Sequence, residues 1–482
     1  MTKAARLAGM FSPEMFRLHG HSLIDLLADR LSAQLQGQGA VLPWRDPVTE
    51  DTRWQRPLPQ QPTLDAEHWL QQLQQDILPG GLAIHHVRNM GHQVAAPLPM
   101  AALCDLVASL SNQAMAVYEA GPTATMLERQ VIRWLSTLVG WDSPRLNGLL
   151  TSGGNQANLT ALLAARQRAL PGNSWQQGVP SQGRLCILAS EHSHYSISRA
   201  AGIMGLGTAA VVTVACDAEG RMQPAALQQA HAACVAQGQQ VMAVVASAAC
   251  TPTGSIDPLG AIGLYCRAHQ LWLHVDGAHG ASGLLSARHR MALDGIALAD
   301  SVVWDGHKLL YMPATVSAVL FRDPANRHAA FAQEASYLFQ GDTMDDFNTS
   351  TSTLECTKRM MGLKLWTAFS LYGVEGLGAL VDQVYGLAQQ LAHKLAADPA
   401  FELLMAPQTN IVCFRHRGED SDRHAMNAHQ AVLRQRLVQS GAFHITQVTL
   451  DGQIWLRTAL MNPFTSAEDL DALLAALQQP LQ

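Results

Sequence analysis

The sequence predicts an α/β protein built on a large, mostly parallel sheet. From about residue 100 onward, helical patterns alternate with short β-rich runs, and this alternation favours parallel strands covered by helices. The runs lie at 185–189, 209–214, 241–246, 271–275 and 301–304. Because open α/β sheets bind ligands at the carboxyl ends of their strands, functional residues are expected directly after these runs.

Both ends of the chain differ from this α/β part. Residues 40–65 are rich in proline and polar side chains and indicate a connecting segment. A helical run over 360–395, strand candidates at 410–414 and 453–458 and a terminal helix predict a small α+β domain. The expected divisions are an N-terminal helical segment over 1–100, a large domain over 101–365 and a small domain over 366–482.

A helix is predicted near the N-terminus. Ser12 can cap it and Pro13 suits its first position. One face of this helix carries Leu23, Leu27, Leu31 and Leu35. The pattern fits either an ordinary surface helix or an arm that packs on a partner subunit.

Composition excludes several classes of protein. Of the 482 residues, 48% are hydrophobic and 15% charged, with a net charge of -6 and no dense basic run, which argues against nucleic-acid binding. No apolar run reaches the ~18 residues of a membrane helix, and no signal peptide is recognisable. Eight scattered cysteines without a CxxC pair predict reduced thiols in a cytoplasmic protein. The low charged fraction predicts apolar surface that meets a partner subunit.

Three features carry chemistry. Ser152, Gly153, Gly154 and Asn155 precede the helical stretch 157–168. Glycines allow close approach of the backbone, and free N–H groups at a helix start favour anions. The alternative is an ordinary capped helix start.

The other two features follow strands. Asp276 directly follows the run 271–275, and Lys308 follows the run 301–304. A loop aspartate capping a helix and a solvated surface lysine are the simpler alternatives. Lys308, however, precedes Leu309, Leu310 and Tyr311, and desolvation favours a nucleophilic amine. An anion cradle, an acid and a lysine together are what pyridoxal phosphate requires for its phosphate, its ring nitrogen and its imine.

At this point the chain resembles the group II pyridoxal-phosphate-dependent amino-acid decarboxylases, which include glutamate, cysteine-sulfinate, aromatic-amino-acid and 2,4-diaminobutyrate decarboxylases. The resemblance extends from about residue 80 to 475. It is carried by TSGGNQANLTALLAAR, SEHSHYSISRA, LWLHVDGAHG, ADSVVWDGHKLL and LRTALMNPFT. It implies an aspartate-aminotransferase-like enzyme of fold type I that converts an L-amino acid to its amine, with pyridoxal 5'-phosphate as cofactor.

The resemblance also implies roles around the cofactor. Lys308 would be the Schiff-base lysine, His307 would help to hold the phosphate, and Asp276 would pair with the pyridinium nitrogen. Ala278 would lie against one face of the ring and His194 would stack on the other, unless His194 is an ordinary core histidine. His192 suggests no metal, because the sequence places no third ligand nearby.

Further roles follow from the same resemblance. Ser152, Gly153, Gly154 and Asn155 match the phosphate loop. Thr251 matches a residue near the ring oxygen of the cofactor. Arg457 matches the arginine that binds the substrate carboxylate, with a surface arginine at a strand edge as the alternative. An obligate homodimer with a swapped N-terminal segment is also implied.

One loop departs from the family pattern. Many members carry a tyrosine that protonates Cα, but this chain has no tyrosine between Tyr337 and Tyr372, and Phe347 lies near the matching position. Within the family, a change of that tyrosine to phenylalanine can give an aldehyde instead of an amine. We favour the alternative in which His194, a water or another loop residue supplies the proton.

The substrate-side segment 85–93 predicts the substrate class. Arg88, His92 and Gln93 make it more polar than an aromatic substrate requires, so the sequence favours a small polar, acidic or diamino acid, unless these residues serve only folding. Two other functions stay open. One is an aldehyde-forming oxidase or a carbon–carbon bond-forming enzyme, and the other is a non-catalytic protein that binds pyridoxal phosphate.

Overall fold

The computed structural model describes residues 2–170, 172, 174–179, 184–329, 331, 346–418 and 422–480. The contacts divide the chain into two compact units. Unit 1 comprises Met1–His92, Asp398–Glu402 and Phe414–Gln482, and unit 2 comprises Gln93–Ala397 and Leu403–Cys413. The domain boundaries that the sequence suggests at residues 100 and 365 stay a prediction.

The helices of the described residues follow the predicted alternation in the central part of the chain. They are α1 Lys3–Met10, α2 Pro13–Leu35, α3 Pro47–Trp54, α4 Ala66–Gln72, α5 Leu78–Gly80, α6 Pro99–Ser111, α7 Pro122–Val139, α8 Gly154–Ala169, α9 Ser174–Gln177, α10 Ser196–Ile203, α11 Pro224–Ala236, α12 Leu259–Ala268, α13 Asn326–Ala329, α14 Gly362–Ala397, α15 Arg423–Ser440 and α16 Ala467–Gln478.

The strands form two sheets. They are β1 Gly148–Thr151, β2 Leu185–Ser190, β3 Val211–Val214, β4 Gln240–Ser247, β5 Leu273–Asp276, β6 Ser301–Asp305, β7 Ser317–Phe321, β8 Phe401–Leu403, β9 Ile411–His416, β10 Thr446–Leu450 and β11 Gln453–Ala459. In the described residues, one sheet has the order β1-β7-β6-β5-β4-β2-β3 and the other β10-β11-β9-β8.

The large sheet confirms the predicted mostly parallel α/β fold. Strands β3, β2, β4, β5 and β6 pair in parallel, and β7 runs antiparallel to both β6 and β1. The sequence predicted β2 to β6 within two residues at each end but missed β1 and β7. Both are runs of four or five buried residues, and so short an apolar run does not distinguish a strand from a buried helix.

Two apolar cores cover the faces of this sheet. One contains side chains of α7, α11, α12 and α14, and the other contains side chains of α8 and α10. Strands β2, β5, β6 and β7 are buried at every residue. Burial on both faces explains why these strands are continuous apolar runs without polar alternation.

The N-terminal helix begins as predicted. The Ser12 side chain accepts a hydrogen bond from the Met15 N–H at 3.2 Å, and Pro13 is the first residue of α2. Leu23, Leu31 and Leu35 are half-buried and Leu27 is exposed. Because Gln34 is the one buried residue of α2, this helix contributes little to the core of a single chain. No helix in the described part of the chain is long and apolar enough to cross a membrane.

Candidate active site

A cavity of about 390 Å³ lies within unit 2, at the carboxyl ends of the parallel strands. It contains the residues that follow β1, β2, β4, β5 and β6. All ten predicted cofactor residues line it, namely Ser152, Gly153, Gly154, Asn155, His194, Thr251, Asp276, Ala278, His307 and Lys308. The sequence motifs, which are up to 156 residues apart in the chain, therefore meet in one place.

The predicted phosphate loop forms the start of α8. Gly153 has φ 140° and Gly154 begins the helix, so the first N–H groups of α8 lack helical partners and can face an anion. A Cβ at Gly154 would lie 3.0 Å from a carboxylate oxygen of Asp305. Glycine therefore lets the loop approach the end of β6.

Glu355 is a residue of this site that the sequence did not suggest. Its carboxylate accepts hydrogen bonds from Ser152 Oγ at 2.7 Å, from Thr353 Oγ1 at 2.6 Å and from the Gln156 amide. Burial alone would raise the pKa of Glu355, but the hydrogen bonds from Thr353, Ser152 and Gln156 outweigh burial and lower it. The Ser152 hydroxyl, one of the donors of the predicted phosphate loop, is therefore hydrogen-bonded to an ionised carboxylate.

We expect Glu355→Gln to bind pyridoxal phosphate several-fold more tightly, because a neutral amide removes the repulsion between Glu355 and the phosphate dianion. Titration of the cofactor-free protein by absorbance would measure the Kd. The control is Glu219→Gln, whose carboxylate pairs with Arg221 at 3.0 Å instead of with Ser152. An unchanged or weaker affinity of Glu355→Gln would show that Glu355 does not oppose the phosphate.

Asp276 is held rigidly at the end of β5. Its Oδ2 accepts a hydrogen bond from the Asn158 amide at 2.9 Å, and its Oδ1 accepts one from the Ala278 N–H at 3.1 Å. The side chain is buried, with 9% of the residue exposed. Two donated hydrogen bonds suit an ionised carboxylate, which is the form that a protonated ring nitrogen pairs with.

Lys308 lies beside a second carboxylate of the cavity. Its Nζ is 3.3 Å from Asp305 Oδ2, and 18% of the side chain is exposed. Asp305 also accepts a hydrogen bond from the Ser317 hydroxyl and lies 3.6 Å from His307 Nε2. His307 Nδ1 is 2.9 Å from the carbonyl oxygen of Val316. The amine of Lys308 is thus both accessible from the cavity and next to a group that can hold its proton.

His194 is positioned by Ser196. Its Nδ1 lies 2.8 Å from Ser196 Oγ and accepts the Ser196 N–H at 3.2 Å. Burial lowers the pKa of His194, although the Asp276 carboxylate opposes this shift. Burial therefore favours the neutral form of the His194 ring.

The predicted substrate residues belong to unit 1, where they lie near one another. Arg457 is buried, and its Nη1 lies 3.4 Å from the Gly91 carbonyl oxygen and 3.3 Å from Thr446 Oγ1. The His92 ring centroid is 5.2 Å from that of His444. Burial, with Arg457 as a further cause, lowers the pKa of His92.

Arg88 has an established partner within unit 1. Its Nε donates to Asp469 at 2.8 Å, and its guanidinium lies over the Phe443 ring at 5.1 Å. These contacts join the segment before Gly91 to α16. Because they account for the charge of Arg88, a role for Arg88 in substrate binding stays a prediction that these contacts do not support.

Phe347 is not among the described residues that line the cavity. Its ring packs edge-on against Tyr118 at 6.0 Å and lies 4.3 Å from the Arg129 guanidinium. Tyr337 and residues 338–345, which belong to the same predicted loop, lie outside the described part of the chain. The role suggested for Phe347 stays a prediction.

The structure does place candidate ligands near His192. Donor atoms of Glu191, His192 and Cys216 lie within 4.8 Å of one another. Burial raises the pKa of the Cys216 thiol to about 12, so without a metal ion the sulfur keeps its proton near pH 7. We assign no metal to this cluster, and the sequence did not suggest Glu191 or Cys216 as neighbours of His192.

Comparison with known proteins decides the family. The pyridoxal-dependent decarboxylase conserved domain matches residues 53–417. The chain belongs to the pyridoxal-dependent decarboxylase family. It is 35% identical over 413 residues to cysteine sulfinic acid decarboxylase of Mus musculus, covering 82% of this chain and 83% of that protein. The protein is thus a pyridoxal-phosphate-dependent amino-acid decarboxylase, as the motifs predicted.

Other members of the family are also similar. L-2,4-diaminobutyrate decarboxylase of Acinetobacter baumannii is 29% identical over 431 residues, covering 86% of this chain and 84% of that protein. A crystal structure of mouse cysteine sulfinic acid decarboxylase superposes with a TM-score of 0.90 at 29% identity and covers 97% of this chain and 98% of the other. The tryptophan decarboxylase of Catharanthus roseus, at 21% identity and a TM-score of 0.86 over 97% of this chain and 98% of the other, shows the shared fold alone.

The donor set of the cavity fits the cofactor of the family. The start of α8 offers N–H groups for a phosphate, Asp276 offers a carboxylate for a ring nitrogen, and Lys308 offers a primary amine. Ala278 and His194 line the same cavity. Asn158, Ser196, Asp305 and Glu355 complete the site through hydrogen bonds and ion pairs that the sequence motifs did not reveal.

Proposed function

We propose that this decarboxylase acts on a small acidic L-amino acid of the cysteine-sulfinate class and releases the amine. The observation that carries the proposal is the positive charge around His92 in unit 1. Arg457 Nη1 lies 3.4 Å from the carbonyl oxygen of Gly91, the residue before His92. Burial lowers the pKa of His92, and the charges of Arg457 and Arg434 lower it further. Because Arg457 is assigned to the substrate carboxylate, a second acidic group would face Arg434, which would repel the second amine of a diamino acid.

The relatives support the acidic class over the diamino class. The human cysteine sulfinic acid decarboxylase is 36% identical over 380 residues, covering 76% of each protein, while the diaminobutyrate enzyme is 29% identical. In the described segment 85–93, moreover, the residues with charged or titratable side chains are His85, His86, Arg88 and His92, and none is acidic.

Each residue of the site has a separate role in the reaction. Pyridoxal phosphate, when bound, supplies an electron sink for the pair released as carbon dioxide departs. The start of α8 would hold the phosphate, and the Asp276 carboxylate would pair with the ring nitrogen. Lys308 supplies the amine that attaches the cofactor, and Asp305 at 3.3 Å can take or return its proton.

Arg457 and a proton source act on the substrate in this proposal. Arg457 binds the carboxylate through its buried guanidinium. For the proton that returns to Cα we favour His194, a water or another loop residue, because the ring of Phe347 has no proton to give. Phe347 contributes its ring to a contact with Arg129, and we retain the amine as the product.

Kinetics on a panel of amino acids test the substrate class. The panel contains L-cysteine sulfinate, L-aspartate, L-glutamate, L-2,4-diaminobutyrate and L-tryptophan, each with saturating pyridoxal phosphate. We expect one of the acidic amino acids to exceed the last two by at least about 100-fold in kcat/KM, because a charged pocket leaves its groups unpaired with the wrong side chain. Turnover of diaminobutyrate or tryptophan comparable to that of the best acidic substrate would contradict the proposal.

We also propose that the protein is a homodimer in which the N-terminal helices pack on the second copy. Phe11 is 84% exposed, and Leu18 is 60% exposed on α2. Met10 and Phe16 are exposed as well. A cluster of large apolar side chains on adjacent helices indicates a surface that another subunit covers. The cytoplasmic location predicted from the cysteines stays a prediction.

We expect the double variant Phe11→Asp/Leu18→Asp to shift the sedimenting species from twice the mass of one chain toward the mass of one chain. Two buried carboxylates at an apolar interface cost several kcal/mol unless they are paired. The control is Leu58→Asp, which alters an 82% exposed leucine of the connecting segment. A double variant that stays dimeric, or a wild-type protein that sediments as one chain, would contradict this arrangement.

A further inference from the structure

A buried chain of hydrogen bonds ends at two residues of the active site, Asp276 and His194. It runs behind the cavity from β5 and β6 to α8 and α10, all within unit 2. Each intermediate residue is at most 2% exposed, and these residues are Trp272, Ser301, His274, Asn158 and Ser196. Because water cannot replace a lost partner at this depth, every donor and acceptor along the chain has a determined direction.

The first half of this chain fixes the proton of His274. The Trp272 indole N–H donates to Ser301 Oγ at 2.9 Å, and Ser301 Oγ lies 2.8 Å from His274 Nδ1. His274 Nε2 lies 2.9 Å from Asn158 Oδ1, which can only accept. Burial lowers the pKa of His274 to about 4, so the ring carries one proton. That proton lies on Nε2, and Nδ1 accepts the Ser301 hydroxyl.

The second half divides at Asn158. Asn158 Oδ1 accepts the hydrogen bond from His274 Nε2. The Asn158 amide nitrogen therefore donates two hydrogen bonds, to Asp276 Oδ2 and to Ser196 Oγ, each at 2.9 Å. Ser196 then donates its hydroxyl to His194 Nδ1 at 2.8 Å. The Ser196 N–H points at the same Nδ1, so a proton on Nδ1 would face two donors. His194 therefore carries its proton on Nε2.

We propose that Asn158 is a positioning residue that sets both the orientation of the Asp276 carboxylate and, through Ser196, the tautomer of His194. This inference rests on the proposed roles of Asp276 and His194. Asn158 lies four residues after Gly154, one turn into α8. The helix whose first turn forms the phosphate cradle thus also aligns the partner of the ring nitrogen and the stacking histidine.

The variant Asn158→Leu tests this role, because leucine has a similar volume and no hydrogen-bonding group. The first measurement is histidine ring ¹⁵N NMR on the cofactor-free protein, with the His194 signal assigned by its loss in His194→Gln. We expect wild-type His194 to be the Nε2–H tautomer. Asn158→Leu should show a measurable fraction of the Nδ1–H tautomer, because the Ser196 hydroxyl is then free to accept from Nδ1, while the Ser196 N–H still favours Nε2–H. The second measurement is kinetic, and we expect kcat to fall roughly 10–100-fold with little change in KM, as for other small displacements of catalytic groups.

The matched control is Asn147→Leu. Asn147 is equally buried in unit 2, but its side-chain oxygen accepts a hydrogen bond from Ser136 Oγ at 2.8 Å, away from this chain of hydrogen bonds. We expect it to lower Tm without changing the His194 tautomer or the visible spectrum of the bound cofactor. If Asn158→Leu does not fold, Asn158→Ala removes the same hydrogen-bonding groups with a smaller side chain, and we expect the same changes of tautomer and kcat.

The outcomes of these measurements distinguish the positioning role of Asn158 from the proposed substrate class. An unchanged His194 tautomer and kcat in folded Asn158→Leu or Asn158→Ala overturns the positioning role even if the wild-type protein decarboxylates an acidic amino acid. A shifted tautomer together with a wild-type preference for another substrate class supports the positioning role and overturns only the proposed substrate.

Discussion

Replacing Lys308 by alanine is expected to lower kcat by roughly 10³–10⁶-fold, the range seen when a covalent catalytic group is removed. The reason is that Lys308 is the primary amine among the described residues that line the cavity. Reduction of the loaded wild-type protein with borohydride should leave the cofactor attached to the peptide that contains Lys308, and the variant should carry no label there.

The control for this prediction is Lys364→Arg. Lys364 is also buried, but it donates to Asp105 at 3.2 Å and to the Pro313 carbonyl at 2.7 Å and does not line the cavity. Its variant should keep nearly full kcat and the covalent label. A Lys308→Ala variant that retains more than about a tenth of wild-type activity would show that another group attaches the cofactor.

Asp276→Asn is expected to lower kcat by about 10²–10³-fold, the range for loss of one preorganised electrostatic partner. Asparagine has nearly the same shape, so the hydrogen bond from Ala278 can persist, but the neutral amide does not stabilise a protonated ring nitrogen. The absorbance spectrum of the bound cofactor should change as well, since its ring nitrogen loses its counter-ion.

Asp300→Asn provides a contrasting carboxylate. Asp300 precedes β6 and pairs with Arg168 at 3.1 Å and with Arg322 at 2.5 Å, outside the cavity. We expect this variant to lower Tm while the folded fraction keeps its kcat and spectrum. If Asp276→Asn behaved like Asp300→Asn, with lower stability alone, Asp276 would be a structural residue and not the partner of the ring nitrogen.

The functional residues predicted from the sequence are those that lie in the same short motif as a recognisable strand. Asp276 ends β5, and Lys308 follows β6 by three residues, so recognising the strand also places the side chain at the ligand-binding edge. The loop before α8 is defined by its own glycines in the same way. These features depend on local sequence and on the general geometry of parallel sheets.

The residues that the sequence did not predict depend on pairing between distant segments. Glu355 reaches Ser152 across 203 residues, and Asn158 reaches Asp276 across 118. No local sequence pattern indicates that Glu355 or Asn158 makes these contacts. His274 had a detectable signal, because it precedes Asp276 by two residues in a strand and therefore lies on the same face of the sheet. A polar residue at that position of an apolar strand indicates a buried hydrogen-bond network.

The apolar spacing of the sequence also did not reveal where a helix is interrupted. The predicted helical run over 360–395 corresponds to α14, but Gly373 within it has φ 63° and breaks the helix. The apolar spacing continues across this point, so periodicity alone does not reveal the break. A glycine tolerates this conformation with little cost, whereas other residues rarely adopt it.

We propose that this pyridoxal-phosphate enzyme converts an acidic amino acid to an amine through non-oxidative decarboxylation. The most direct test is to measure carbon dioxide, amine, aldehyde and dioxygen consumption together, in one aerobic reaction with L-cysteine sulfinate or L-aspartate. We expect one amine for each carbon dioxide, without dioxygen consumption above that of the Lys308→Ala control. An aldehyde formed with stoichiometric dioxygen consumption, or no carbon dioxide from either acid, would contradict it.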